Sequence, residues 1–157
     1  MIELTTELAA RLISLNWMLA TAESCTGGLI ASRCTDLPGS SAWFDRGFVT
    51  YSNDSKTQML SVPIDTITAS GAVSEQVARA MVLGAIYNSK ATAAVAVTGV
   101  AGPSGSSPDK PIGTVWLAWC INHKVTSEMK HFEGNRSQIR EATTNCALLG
   151  LMNRLDG

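Results

Sequence analysis

AESCTGGLIA, residues 22–31, decides how the rest of the chain is read. Residues 18–22 (MLATA) are short, apolar and bounded by turn chemistry, the pattern of a buried strand. Two glycines then make a turn, and residues 25–34 (CTGGLIASRC) open a helix. A strand, a small polar residue, a glycine turn and a helix form the connection that exposes a side chain at a strand end. The same connection aims backbone N–H groups at a ligand. Ser24 is therefore a candidate nucleophile, and Thr26, Gly27 and Gly28 candidate binding groups. The plainer alternative is a helix-capping serine, with the glycines allowing close helix–sheet packing. GxSxG, GxGxxG and a Walker lysine are all absent.

Outward from this stretch, helices and strands mostly alternate. Leu4, Leu8, Leu12 and Leu15 recur at helical spacing, so residues 3–15 are expected as an amphipathic helix. Residues 42–52 (AWFDRGFVTYS) are aromatic and β-branched and read as a strand. Asn53 caps a short helix to residue 60. Ser74 and Glu75 begin a longer helix to about residue 89, followed by a buried strand at 91–99. Residues 100–111 (VAGPSGSSPDKP) carry too much Gly, Pro and Ser for regular structure, and a connection this long is usually functional or mobile. Residues 113–121 and 124–132 read as a β-hairpin, and residues 137–155 as a final helix. The expectation is one domain over residues 1–157: a three-layer α/β/α fold with a mixed, mostly parallel sheet.

Composition narrows the function. The chain has 157 residues, 45% apolar and 16% charged, with a net charge of −1. That is the profile of a well-packed soluble domain, and its scattered Lys and Arg argue against a nucleic-acid partner. No apolar run reaches the roughly 18–20 residues a membrane helix needs, so no membrane partner is expected. Cys25, Cys34, Cys120 and Cys146 show no CxxC pairing and read as reduced thiols of a cytoplasmic protein. His123 and His131 have no acid or cysteine cluster around them, so no metal site is expected.

A serine nucleophile needs a base. Both histidines fall on the hairpin, which leaves Lys56 of YSNDSK as the more economical choice. A free lysine has a pKa of about 10.4, and burial lowers it by disfavouring the charged form. Tyr51 stands ready to relay a proton or hold the lysine, and an ordinary exposed lysine is the bland alternative. Ser41, in the PGSSAWF turn, is a second candidate nucleophile or oxyanion donor. Cys25 lacks a histidine partner and reads as a buried small residue. Thr98, Gly99 and Gly102 follow a strand in a loop whose N–H groups suit a phosphate or an amide. Arg136 and Arg140, at the start of the last helix, are candidate anion ligands.

AESCTGG (22–28), PGSSAWFDRGFVTYSNDSK (38–56), GAVSE (71–75), TGVAGPSG (98–105), KPIGTVW (110–116) and FEGNR (132–136) occur in this order. Together they resemble the CinA C-terminal domain family, over residues 4–155. Characterised members of that family are nicotinamide mononucleotide deamidases. The resemblance implies hydrolysis of the carboxamide of that nucleotide, in pyridine-nucleotide recycling, by serine and lysine without a metal or other cofactor. It implies a site of Ser24, Ser41, Tyr51, Lys56, Thr98 and either Arg136 or Arg140. The larger CinA proteins add an N-terminal domain of molybdopterin-binding type; the resemblance here is to the stand-alone form, so no such domain is expected. Two alternatives stand beside hydrolysis: a nucleotide-binding paralogue without this activity, and a structural partner protein in competence or DNA damage. A mean hydropathy of +0.12 favours a homo-oligomer.

Overall fold

Strand residues alternate between two faces, and here the two faces carry different side chains. In the computed structural model, which describes residues 2–156, β1 (Leu19–Glu23), β2 (Phe44–Val49), β3 (Ala93–Gly99), β4 (Thr114–Ile121) and β5 (Lys124–His131) form one sheet in the order β2-β1-β3-β4-β5. One face presents Leu19, Val95, Val97, Val115, Leu117 and Trp119. The other presents Ala20, Ala22, Ala94, Ala96, Ala118 and Cys120.

The large-residue face is covered by α1 (Ile2–Leu15), α2 (Leu29–Thr35) and α6 (Arg136–Asp156), through Leu8, Leu12, Ile30, Ile139, Leu148 and Leu151. The alanine face is covered by α5 (Glu75–Tyr87), through Val77, Met81, Val82 and Ala85, with Leu60 of α3 (Asn53–Leu60) behind it. α4 (Ile64–Ser70) precedes α5 and buries none of its residues. Each fully buried aliphatic side chain contributes about 1.5–3 kcal/mol, so both faces are needed to hold the sheet. Gly84 lets α5 lie close against the end of α3: a Cβ there would collide with the Leu60 carbonyl.

The three-layer α/β arrangement and the mixed sheet are as the sequence predicts. β1 pairs in parallel with β2 and β3, whereas β3–β4 and β4–β5 are antiparallel. Parallel and antiparallel pairings are thus equal in number, because the late hairpin supplies both antiparallel ladders. No described helix is long and apolar enough to cross a membrane.

This topology sets the site. Glu23, the last residue of β1, lies beside Val49 of β2 and Val97 of β3. The segments leaving the three parallel strands therefore emerge together at one sheet edge, where α/β folds collect ligands.

Candidate active site

Ser24 immediately follows β1, and its backbone N–H donates to the Val97 carbonyl at 3.1 Å. Lys56 lies in α3, which Ser52 starts by accepting the Ser55 N–H on its hydroxyl. One turn into that helix, the Lys56 side chain runs inward and is 1% exposed. Its Nζ lies 3.0 Å from Ser24 Oγ, 3.0 Å from the Thr50 carbonyl and 3.3 Å from the Tyr51 carbonyl. The carbonyls engage two N–H bonds. The third position on the nitrogen, a proton or a lone pair, faces the serine.

No described carboxylate pairs with Lys56. Burial lowers its pKa from the ordinary 10.5, and only the neighbouring Cys25 opposes the shift. An amine so placed reaches its neutral form more readily than a surface lysine does. Burial acts the other way on Cys25, pushing its thiol up to about 12. That thiol stays protonated at neutral pH and is a poor nucleophile.

A cavity of about 230 Å³ opens on the pair, lined by Ser24, Cys25, Tyr51, Asn53, Lys56, Ala72, Val73, Thr98, Gly99, Ala101 and Arg136. Thr98 donates its hydroxyl to the Ala72 carbonyl at 2.9 Å, tying β3 to the segment before α5. Arg136 donates to the Tyr51 phenol oxygen and to the Gly102 carbonyl, both at 2.9 Å. Three larger cavities lie elsewhere: one between the hairpin and the end of α6, one beside Leu83 and Tyr87, and one beside Ser74 and Lys110. None of them is lined by Ser24, Lys56 or Thr98.

Of the residues singled out in the sequence, Ser24, Tyr51, Lys56, Thr98, Gly99 and Arg136 line this cavity. Gly102 contributes through its carbonyl to Arg136. Thr26, Gly27, Gly28 and Arg140 do not line it. The Gly27 N–H donates to the Ser24 carbonyl, and the Gly28 N–H and the Thr26 hydroxyl donate to Glu23. Arg140 donates to the Cys25 and Thr26 carbonyls. Ser41 is exposed in a 3-10 turn (Ser40–Ala42) that precedes β2. It sits at the amino end of that strand, whereas Ser24 sits at the carboxyl end of the adjacent parallel strand.

Glu23 is the residue that sequence reasoning passed over. Its fully buried carboxylate accepts Thr26 Oγ1 at 2.6 Å, the N–H groups of Gly28 and Ile30 at 3.2 and 2.9 Å, and the Ala31 N–H at 3.0 Å. The first-turn donors of α2 are thus satisfied by the chain's own carboxylate. Ligand binding by the N–H groups of that helix start, which the glycine turn suggested, gives way to an internal cap. The signal was present: a charge ending a five-residue apolar strand is buried, and a buried charge must be paired.

Fold and site together define a three-layer α/β domain with a buried Ser–Lys pair at the carboxyl ends of parallel strands. The chain belongs to the CinA C-terminal domain family, which it matches over residues 1–155. It is similar to a Pseudomonas putida protein named nicotinamide-nucleotide amidohydrolase PncC, with 53% identity over 95% of this chain and 93% of that one. A CinA-like protein of Akkermansia muciniphila is 52% identical over 85% of this chain, but the match spans only 32% of that longer protein. The crystal structure of the competence/damage inducible protein CihA from Agrobacterium tumefaciens superposes with a TM-score of 0.95 at 48% identity, covering 99% of this chain and 95% of that one.

Proposed function

We propose that this chain is an amidohydrolase that converts nicotinamide mononucleotide to nicotinate mononucleotide and ammonia. The observation that carries this reading is the 3.0 Å contact between Lys56 Nζ and Ser24 Oγ, made by a lysine with no described carboxylate partner. The substrate is supported by the name of the Pseudomonas putida relative, which matches this chain nearly end to end.

In the proposed reaction, neutral Lys56 takes the Ser24 hydroxyl proton as Oγ forms a bond to the carboxamide carbon. The carbonyl oxygen becomes an oxyanion, and one well-placed N–H stabilises it by about 3–4 kcal/mol. As the tetrahedral centre collapses, the C–N bond breaks and the Lys56 ammonium gives its proton to the departing nitrogen, releasing ammonia. Water then attacks the acyl-serine and loses its proton to Lys56. Collapse returns that proton to Ser24 Oγ and frees the carboxylate product. Arg136, the charged side chain on the exposed side of the cavity, takes the phosphate. Ser24 is favoured over Ser41 as the nucleophile because Lys56 touches it.

Ammonia release from nicotinamide mononucleotide tests the reading, with Ser24→Ala, Ser41→Ala and Lys56→Ala run in parallel. Turnover lost in Ser24→Ala and Lys56→Ala and kept in Ser41→Ala is expected. A wild type that binds the nucleotide without releasing ammonia would favour a binding domain instead, a reading that the name of the CinA-like relative leaves open. Self-association belongs to the same proposal, supported by the exposed apolar side chains Met59, Ile64, Leu83 and Tyr87. Sedimentation equilibrium tests it.

A further inference from the structure

We propose that Arg140 is a positioning residue that fixes the turn after Ser24 so that the Cys25 N–H serves as the oxyanion donor; this rests on the amidohydrolase reading above. Arg140 lies one turn inside α6 and sends Nε to the Cys25 carbonyl at 3.0 Å and Nη2 to the Thr26 carbonyl at 3.1 Å. A planar guanidinium holding two successive carbonyls fixes both peptide units, since each unit is itself rigid.

The constraint passes to the nucleophile in three links. The Thr26 carbonyl held by Arg140 shares a peptide unit with the Gly27 N–H. That N–H donates to the Ser24 carbonyl at 3.1 Å. The Ser24 carbonyl in turn shares a unit with the Cys25 N–H, which points the opposite way and faces no acceptor but its own residue's thiol, a weak acceptor that an oxyanion would displace. Ser24 and Cys25 both line the cavity. The N–H that follows a nucleophile is the donor used at other strand–turn–helix elbows. On the far side of the turn, Glu23 takes the N–H groups of Gly28, Ile30 and Ala31, leaving none of those three for an oxyanion. Arg140 forms no ion pair with a described carboxylate, and at Cys25 its charge opposes that of the buried Glu23.

The test compares Arg140→Ala and Arg140→Lys with the wild type in steady-state ammonia release. A second measurement is the rate at which a fluorophosphonate probe phosphonylates Ser24. That reaction also places charge on an oxygen beside the serine, and it does not depend on the nucleotide. For Arg140→Ala, kcat is expected to fall about 10²–10³-fold, the usual cost of one oxyanion donor, with KM changed less than about 3-fold. Added guanidinium should restore part of kcat, and labelling should slow in proportion. Arg140→Lys keeps the charge but not the two-pronged grip, and should fall nearly as far. A raised KM at unchanged kcat would make Arg140 a phosphate ligand and overturn the proposal. So would a folded Arg140→Lys of wild-type kcat. If the wild type is labelled at Ser24 but releases no ammonia, the amidohydrolase reading fails, and the labelling rates of the variants decide the role of Arg140. If the wild type is not labelled either, Ser24 is no nucleophile and the proposal falls.

Discussion

The guanidinium of Arg136 donates to the phenol oxygen of Tyr51 at 2.9 Å, joining the first residue of α6 to the segment between β2 and α3. Both side chains are exposed and both line the cavity, so this bond orients the cation the proposed phosphate would meet. A hydrogen bond to a charged group contributes about 1.5–3 kcal/mol, which is roughly 10- to 100-fold in affinity. Arg136→Ala should raise KM for nicotinamide mononucleotide by about that factor while kcat changes little. Tyr51→Phe should raise KM less, because the arginine remains but is less well aimed. Steady-state kinetics at fixed ionic strength measure both.

The depressed pKa of Lys56 has a sign that can be checked twice. Its folded value lies below the ordinary 10.5, so between the two values the unfolded chain binds more protons than the folded one. The stability that neutral Lys56 contributes is complete above 10.5 and is lost as pH falls to the folded value. Urea midpoints of the wild type should therefore rise with pH across that window relative to Lys56→Met, which has no amine to titrate. Activity should rise in the same direction, as the neutral amine becomes populated. Parallel pH profiles for the wild type and Lys56→Met would contradict the assignment.

Cys25 adjoins the nucleophile, yet burial holds its thiol at about 12. Native protein treated with iodoacetamide near pH 8 should leave Cys25 unmodified, and Cys25→Ala should retain activity within about 3-fold. Mass spectrometry after tryptic digestion reads the first outcome. Rapid alkylation of Cys25 in the native state would require a more exposed, thiolate-forming cysteine than the structure contains.

Glu23→Gln keeps the shape of the side chain but replaces one acceptor oxygen with an N–H₂ group, which would face the N–H donors of α2. A buried polar group left without a partner costs about 1–3 kcal/mol. The urea midpoint should fall accordingly. Activity should fall with it, because the carboxylate also fixes Thr26 in the turn after Ser24.

The long helices and the buried strands were legible because their apolar periods are strong. The boundaries failed where single residues override the pattern. Residues 25–28 read as the start of a helix, but Gly27 and Gly28 have φ of +59° and +109°, so α2 begins at Leu29. Residues 42–52 read as one strand, but a 3-10 turn takes Ser40–Ala42 and the strand stops at Val49. α4, IDTITAS, gave no signal because it has no buried stripe. The Ser24–Lys56 pair was readable from residue types, whereas the roles of Arg136 and Arg140 were not. These arginines lie four residues apart on one helix, and only the tertiary structure shows that one reaches Tyr51 and the other the Ser24 turn.

The unequal faces of the sheet also shape how this chain can vary. α5 rests on Ala20, Ala22, Ala94, Ala96 and Ala118, where a larger side chain would have to displace a whole helix. On the opposite face Leu19, Val95, Leu117 and Trp119 can exchange volume with one another. A saturation map of tolerated substitutions along β1, β3 and β4 would show a two-residue beat. Alternate positions would refuse nearly every replacement, and the positions between them would accept many in combination. Sequence drift in this fold is thereby channelled to one side of a single sheet.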